Sequence, residues 1–157
     1  MSGPVVTLPA LLADLQRARA RQPAPRVVLT NGVFDLLHVG HLRSLRQARA
    51  EGDVLVVGVN ADASVAAQKP GRPIVPAAER AELVAALEPV SYVVVFDEPT
   101  ADGLTRVLRP DVYAKGGDYT PDTLPEAATA DAVGARVVLL PLLPGHSTSA
   151  LLAKRAD

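Results

Sequence analysis

Two histidines three residues apart carry the clearest chemical signal in the sequence. His38 and His41 are separated by Val39 and Gly40 and stand where a helix is predicted to begin. Free backbone N–H groups and the positive dipole end favour an anion at such a position. Imidazoles at i and i+3 share a helix face and add donors for charge that develops on a phosphoryl group. The pattern favours phosphate chemistry over a simple cap or a metal site, for which a third ligand is not evident.

A second candidate group follows the second predicted strand. Asn60 and Asp62 leave its carboxyl end, and Lys69 and Arg72 lie in the Pro- and Gly-containing stretch beyond it. A lysine on such a loop can swing onto a polyphosphate as a point charge, whereas an arginine can hold two oxygens at once. The alternative for these residues is an ordinary solvated loop.

Glycines and hydroxyls mark two further candidate sites. Residues 115–119 (KGGDY) follow the fourth predicted strand, and their paired glycines would let a flat base pack close to the backbone. An ordinary glycine turn is the alternative. Ser147 and Thr148 stand at the predicted start of the last helix, where they act either as a cap or as a second anion site.

The elements that must position these residues alternate between helices and strands. Apolar spacing predicts helices over 8–20, 40–50, 76–88, 100–108 and 125–133, and from Ser147, with Thr100 and Ser147 as N-caps. Continuous apolar runs predict strands over 26–30, 54–59, 90–96, 112–115 and 136–142, with a turn at 31–32 and a long loop over 60–75. This order predicts an α/β fold, a doubly wound sheet of about five parallel strands flanked by helices. Ligands of such sheets bind at the carboxyl ends of the strands, where all four candidate groups lie.

Composition narrows the class of protein. The 157 residues are 48% hydrophobic and 21% charged, with 17 acidic and 16 basic side chains and no cysteine. This excludes a disulfide framework, a thiol nucleophile and a cysteine-based zinc site. No block of like charge favours nucleic acid or an acidic membrane as a partner. Without a recognisable signal peptide or membrane span, we expect a soluble cytoplasmic protein. We expect one domain over 1–157, with a helix and linker over 1–25 and a Rossmann-like core over 26–152.

Together these motifs resemble the HxGH signature of the cytidylyltransferase-like nucleotidyltransferase superfamily, over nearly the whole chain. More narrowly, they resemble the nucleotidyltransferase domain of the D-glycero-β-D-manno-heptose 1-phosphate adenylyltransferases. The resemblance is carried by residues 30–35 (TNGVFD), 59–64 (VNADAS), 72–74 (RPI), 115–119 (KGGDY) and 147–149 (STS), besides the histidines. It implies a Rossmann-like fold and transfer of a nucleotidyl group to a phosphorylated acceptor, with release of pyrophosphate.

The resemblance also implies roles for individual residues. His38, His41 and Lys69 would be catalytic, with the histidines at the α-phosphate and the lysine on the departing pyrophosphate. Ser147 and Thr148 would hold the β- and γ-phosphates. The full set expected to bind nucleotide or acceptor is Thr30, Asn31, Gly32, Phe34, Gly40, Asn60, Asp62, Arg72, Arg80, Lys115, Gly116, Asp118, Ser147 and Thr148. For Arg80, a simple surface role is nearly as well supported by the sequence.

The implied reaction transfers AMP from ATP to a sugar 1-phosphate, and the narrower resemblance makes the acceptor a heptose 1-phosphate. The acceptor phosphate is mostly ionised at neutral pH, so that direct attack needs no general base. Mg²⁺ is expected on the phosphates, and no protein ligand for it is identified. ATP and the sugar phosphate would be the partners, together with a second copy in a homodimer. A separate sugar kinase would supply the acceptor.

Two other interpretations remain open, and a third is excluded. Cytidylyltransferases acting on glycerol 3-phosphate usually carry RTxGISTT at the last site, whereas residues 142–149 read LLPGHSTS and lack that arginine. Leu143, Pro144 and His146 are also untypical of the heptose group, which makes the acceptor less secure than the reaction type. A class I aminoacyl-tRNA synthetase shares the histidine motif, but this chain is far too short. A non-catalytic nucleotide-binding module would bind ATP without releasing pyrophosphate.

Overall fold

A five-stranded sheet, parallel throughout, forms the centre of the molecule in the computed structural model, which describes residues 3–141 and 144–154. Its strands lie in the order β3-β2-β1-β4-β5. They are β1 (Val27–Gly32), β2 (Val54–Asn60), β3 (Tyr92–Phe96), β4 (Val112–Gly116) and β5 (Arg136–Leu140). This confirms the predicted α/β fold with about five parallel strands.

Helices cover both faces of the sheet. They are α1 (Leu8–Arg19), α2 (Val39–Arg49), α3 (Asp62–Gln68), α4 (Ala77–Ala85), α5 (Asp102–Leu108), α6 (Ala127–Ala132) and α7 (Thr148–Lys154). Side chains of α2 and α4 pack in one core cluster, and side chains of α1, α5 and α6 pack in another. Alternate residues of β1 serve the two clusters, since Val28 lies in the first while Val27 and Leu29 lie in the second. A strand buried on both faces requires the continuous apolar run seen in the sequence.

The position of β1 explains why a cleft forms. The chain runs outward from β1 through β2 to β3, then crosses back so that β4 pairs with the other side of β1. The connection after β1 leads to α2 on one face, and the connection after β4 leads to α6 on the opposite face. Two neighbouring strands whose connections diverge leave a crevice between them, which is the usual ligand site in this class of fold.

The segment predicted as a long loop contains a helix. Residues 62–68 (DASVAAQ) form α3, with Asp62 in the first turn and Val65 buried. The prediction of a loop over 60–75 was wrong here because this short helix buries only two residues, too few for a visible apolar stripe. The favourable charge of Asp62 at its N-terminus and its alanines stabilise the helix instead.

Three smaller expectations also needed correction. Asn31 and Gly32 are the last residues of β1, paired with β2 in register, and do not form the predicted turn. The N-cap of α5 is Ala101, because the Thr100 hydroxyl donates to the Asp102 carboxylate instead. The strand predicted over 136–142 ends at Leu140 as β5, while residues 142 and 143 lie outside the described part of the chain. Ser147 behaves as predicted, since its Oγ accepts from the Ala150 N–H at 3.0 Å.

Candidate active site

A cleft of about 760 Å³ lies at the carboxyl ends of β1 and β4. Fifteen of the seventeen predicted site residues line it; the other two are Asp62 and Arg80. The fifteen come from separate parts of the chain: Thr30, Asn31, Gly32, Phe34, His38, Gly40, His41, Asn60, Lys69, Arg72, Lys115, Gly116, Asp118, Ser147 and Thr148. The fold thus brings all four sequence motifs to one place.

The two histidines form a cap at the start of α2. His38 is the N-cap, and its Nδ1 accepts from the Gly40 N–H at 3.1 Å. His41 reaches back, and its Nδ1 accepts from the His38 N–H at 3.2 Å. This is the reciprocal arrangement of a capping box, in which imidazoles replace the usual Ser or Thr and Glu. The cap fixes both rings at the mouth of the helix.

The same hydrogen bonds determine where each imidazole carries its proton. An Nδ1 that accepts a hydrogen bond is unprotonated, so a neutral ring must carry its hydrogen on Nε2. Both rings therefore keep an Nε2–H as a free donor group. The ring centroids of His38 and His41 are 3.9 Å apart, and the Phe34 ring lies 5.5 Å from that of His41.

Burial and repulsion from a neighbouring histidine keep both rings neutral. Burial lowers the pKa of His41 to about 4, and the nearby His38 adds to the effect. Burial also lowers the pKa of His38, followed by the charge of His146. At neutral pH the pair is therefore a pair of uncharged N–H donors.

Gly40 is required by the cap itself. A Cβ at this position would lie 2.8 Å from the His38 ring and 3.1 Å from the His146 Cβ. Gly40 also lines the cleft, and the His38 ring packs against the side where a Cβ would stand. The contact also shows that the segment before α7 lies directly beside the start of α2.

Asp35 anchors the loop that carries the predicted phosphate cations. Its carboxylate is 3% exposed and accepts from the N–H groups of Ile74 and Val75 and from Arg72 Nε. Burial raises the pKa of Asp35, but the hydrogen bonds from Val75, Ile74 and Arg72 outweigh it and the pKa is lowered. Sequence reasoning did not select Asp35, because its partners lie almost forty residues away.

Arg80 and Asp62 support the same loop from behind the cleft. Arg80 is fully buried, and it donates to the carbonyl oxygens of Val75 at 2.7 Å and Val33 at 2.6 Å. Its third contact is Asp62 Oδ1 at 2.7 Å. Asp62 also accepts from the Ala77 N–H at 2.9 Å. The structure thus places these two predicted nucleotide-binding residues as braces between segments, outside the cleft lining.

The opposite wall of the cleft is built around Lys115 and Tyr113. Lys115 Nζ donates to the Asn31 carbonyl oxygen at 3.3 Å and lies 5.8 Å from the centre of the Tyr119 ring. The Tyr113 hydroxyl donates to Asn31 Oδ1 at 2.5 Å. Burial lowers the pKa of Lys115, and the charge of Glu126 partly offsets this. Gly117 has a φ of +126°, which favours glycine at this bend.

Sequence reasoning missed several residues that line the cleft. Besides Asp35, the lining includes Ser44, Thr100 and Glu126. None of them stands in a motif of recognisable spacing, and each reaches the cleft only because its helix or loop folds across a strand end. Glu126 belongs to the wall formed by the connection after β4.

The described residues do not build a magnesium site by themselves. Residues 3–141 and 144–154 contain no group of three His, Cys, Asp or Glu side chains that could hold a metal ion. Asp35 is already occupied by Arg72 and two backbone N–H groups. In the same part of the chain, no helix combines the length and apolarity needed to cross a bilayer.

Comparisons with known proteins agree with this geometry. The chain is 48% identical over 138 residues to the bifunctional protein HldE of Syntrophotalea carbinolica, covering 87% of this chain and 28% of that protein. The bifunctional protein HldE of Streptomyces coelicolor is 50% identical over 141 residues, covering 89% of this chain and 30% of that protein. The chain therefore spans about 30% of the length of these relatives.

A crystal structure shows the same fold. The lipopolysaccharide core biosynthesis protein from Thermoplasma volcanium superposes with a TM-score of 0.62 and 26% identity, covering 76% of this chain and 97% of that one. The family described as Cytidylyltransferase-like matches residues 29–147, which span β1 to the last candidate site. The chain thus belongs to the cytidylyltransferase-like family of nucleotidyltransferases.

Proposed function

We propose that this protein transfers AMP from ATP to a sugar 1-phosphate and releases pyrophosphate. The observation that carries the proposal is the pair of neutral Nε2–H donors of His38 and His41 at the start of α2, inside the cleft. The acceptor that we favour is D-glycero-β-D-manno-heptose 1-phosphate. Similarity to proteins named HldE and to a lipopolysaccharide core biosynthesis protein supports this choice.

The reaction is an in-line displacement at phosphorus. An oxygen of the acceptor phosphate attacks the α-phosphorus of ATP, and the bond from that phosphorus to the bridging oxygen of the β-phosphate breaks. The electron pair of that bond leaves with pyrophosphate. The attacking phosphate is already mostly ionised at neutral pH, because its second pKa is about 6. The protein therefore has to position the two substrates and stabilise charge, with no proton to remove.

His38 and His41 are suited to the charge on the α-phosphate. Both rings are held by backbone contacts before any ligand arrives, so no reorganisation is needed when charge develops. As neutral rings they each offer one Nε2–H that can donate a hydrogen bond to a phosphoryl oxygen. The backbone N–H groups at the start of α2 add a favourable field for a phosphate.

Lys69 and Arg72 are suited to the departing pyrophosphate. Lys69 is exposed at the end of α3, and its flexible ammonium can follow the leaving group. Arg72 has one nitrogen, Nε, bound to Asp35, which leaves the terminal nitrogens of the guanidinium for a ligand. We propose that Ser147 and Thr148 bind the β- and γ-phosphates from the other side of the cleft.

Mg²⁺ would enter with the triphosphate. This ion commonly binds substrate phosphates and water with one or two carboxylates. Bound there, it would neutralise charge on the phosphates. We assign it no ligand in the protein, since the carboxylate of Asp35 is fully engaged.

Several wider features belong to the same proposal. We propose that a separate sugar kinase supplies the sugar 1-phosphate, since the acceptor arrives already carrying the phosphate that attacks. We also propose a homodimer working in the cytoplasm. Size measurement in solution tests the homodimer, and fractionation of cells tests the location.

Pyrophosphate release with Mg²⁺ tests the reaction. ATP, CTP and GTP would each be combined with heptose 1-phosphate, other sugar 1-phosphates and glycerol 3-phosphate. We expect release with ATP and a heptose 1-phosphate. Release with CTP and glycerol 3-phosphate would keep the reaction type but contradict the substrates. ATP binding without release from any pair would contradict the enzyme and favour a binding module.

A further inference from the structure

Glu126 is a buried carboxylate in the wall of the cleft with one oxygen unused. It stands at the N-cap position of α6 and is 2% exposed, yet it lines the cleft. Its Oε1 accepts from the Ala101 N–H at 3.1 Å. Its Oε2 is buried and has no hydrogen-bond partner among residues 3–141 and 144–154. No step of the proposed reaction uses this side chain.

Nearby donors are committed elsewhere. Burial, together with the charge and hydrogen-bonding reach of the neighbouring Glu126 carboxylate, raises the pKa of Tyr113. The single proton of the Tyr113 hydroxyl goes to Asn31 Oδ1 at 2.5 Å. Lys115, whose ammonium also feels the Glu126 charge, donates to the Asn31 carbonyl oxygen. Both potential partners therefore point toward the end of β1. Within the described part of the chain, neither group donates to Glu126 Oε2.

A buried oxygen without a hydrogen-bond donor is energetically unfavourable. Leaving a buried acceptor unpaired destabilises the protein, and the effect is larger when the group is charged. Native proteins pair almost all such atoms with a protein group, an ordered water or a ligand, and a position beside a ligand cleft allows the ligand to supply the donor. The position of Glu126 in the wall makes the cleft the source of that donor.

The polar groups that line the cleft indicate which part of a ligand would lie beside Glu126. His38, His41, Lys69 and Arg72 lie on the connections after β1 and β2, where phosphates are favoured. Glu126 and Asp118 lie on the connection after β4, where two carboxylates would repel a phosphate. The wall that contains Glu126 and Asp118 therefore suits an uncharged part of a ligand that carries hydroxyl donors.

We propose that Glu126 Oε2 accepts a hydrogen bond from a sugar hydroxyl of a substrate bound in the cleft. The hydroxyl belongs either to the ribose of the nucleotide or to the ring of the acceptor sugar. The inference rests on the proposed function for its two substrates. It adds a specificity-determining residue that selects sugars by their hydroxyl groups.

The test compares ligand binding to the unaltered protein and to Glu126→Gln by calorimetry. Glutamine keeps the shape and an oxygen for the Ala101 N–H, but it replaces the charged Oε2 with a neutral group. Glu88→Gln makes the same change at an exposed position outside the cleft and serves as the matched control. The ligands are ATP, 2′-deoxy-ATP, 3′-deoxy-ATP, heptose 1-phosphate and inorganic pyrophosphate, which has no hydroxyl group on carbon.

We expect Glu126→Gln to weaken one sugar-bearing ligand by about 10- to 100-fold, the usual worth of a hydrogen bond to a charged group. Pyrophosphate binding and the unfolding midpoint should stay close to those of Glu88→Gln. If Glu126→Gln weakens the binding of ATP but not that of 2′-deoxy-ATP or 3′-deoxy-ATP, the hydroxyl missing from that analogue is the partner of Glu126. Selective weakening of heptose 1-phosphate assigns the acceptor sugar.

Other outcomes overturn the inference. Equal weakening of pyrophosphate would show a general disturbance of the cleft. No weakening of any sugar-bearing ligand would mean that Tyr113 turns its proton to Glu126 and satisfies it internally. Pyrophosphate release by the unaltered protein is scored separately. Pyrophosphate release by the unaltered protein, with no change in ligand binding in Glu126→Gln, would contradict this inference alone. Selective weakening of a sugar-bearing ligand in Glu126→Gln, without pyrophosphate release by the unaltered protein, would contradict the proposed reaction alone. Failure to bind any sugar-bearing ligand would overturn both.

Discussion

Asp35 and Arg72 are 37 residues apart in the sequence, and their side chains meet at 2.5 Å beside the cleft. The carboxylate is buried, and it also holds the backbone of the two residues after Pro73. One acidic group at the exit of β1 thus sets the course of the loop that carries Lys69 and Arg72. This contact determines where the positive charges of Lys69 and Arg72 can lie in the cleft, because it fixes the course of their loop.

Replacing Asp35 with Asn should loosen this loop. The neutral amide keeps the shape but loses the charge that strengthens three hydrogen bonds, so unfolding free energy should fall by about 2–3 kcal/mol. The KM for ATP should rise as well, because Arg72 is no longer held. Denaturant unfolding and initial rates measure both effects. Asp131→Asn, at an exposed site, is the control and should change neither.

Two substitutions of His41 separate its structural and chemical roles. Asn places an oxygen near the position of Nδ1, so His41→Asn should keep the cap on the His38 N–H while losing the Nε2–H donor. We expect its turnover to fall by about 10²–10³-fold with little change in unfolding midpoint. His41→Gln places an amide N–H near the position of Nε2 and loses the cap. It should retain more turnover and lose more stability; the reverse order would contradict the assignment.

The stability of the protein should depend on pH between about 6.5 and 4. Burial lowers the pKa of His41 to about 4, whereas the unfolded ring titrates near 6.5. In this pH window the unfolded chain binds more protons than the folded chain. The free energy of unfolding therefore increases as the pH rises and decreases as the pH falls. The contribution of His41 to this slope should stay below about 1.4 kcal/mol per pH unit, because one ring binds one proton and solvent screens its exposed part.

Denaturant unfolding at several pH values measures this slope. His41→Asn should give a flatter profile across the window. It should not be entirely flat, because the lowered pKa of His38 acts in the same direction. Asp35 acts in a lower pH range. Because its pKa is lowered in the folded protein, it contributes stability that is lost only as the pH falls below its ordinary pKa near 4. An unchanged slope in His41→Asn would argue against a neutral His41.

Lys69 should affect the reaction without affecting the fold. Its side chain is exposed at the end of α3, so Lys69→Ala should leave the unfolding midpoint unchanged. If it neutralises the departing pyrophosphate, kcat should fall by about 10²-fold. Lys154→Ala, in α7, removes an equally exposed ammonium outside the cleft and should leave kcat unaltered. A normal kcat in Lys69→Ala would remove this residue from the catalytic set.

Arg80 should affect stability before it affects binding. Lysine cannot reproduce the three directed contacts of the guanidinium to Val75, Val33 and Asp62. Arg80→Lys should therefore lower the free energy of unfolding by about 3 kcal/mol. Denaturant unfolding and ATP binding would be measured together. A large loss of ATP affinity with unchanged stability would show a direct nucleotide contact instead.

The sequence by itself determined the fold class and most of the cleft. Apolar runs such as residues 54–59 are long enough to be buried on both faces, and this property specifies a covered parallel sheet. Once the strands are known, their carboxyl ends must meet at one edge. The order of strands and motifs along the chain is therefore enough to place His38, Lys69, Lys115 and Ser147 in one site.

Only the tertiary structure decided what individual side chains do there. Asp35, Arg80 and Glu126 each contact at least one partner 25 to 47 residues away, and no local spacing encodes such contacts. The same holds for the proton positions of the histidines. Local pattern reports which face of an element is buried, whereas hydrogen bonding and burial between elements arise only when the strands and helices pack together.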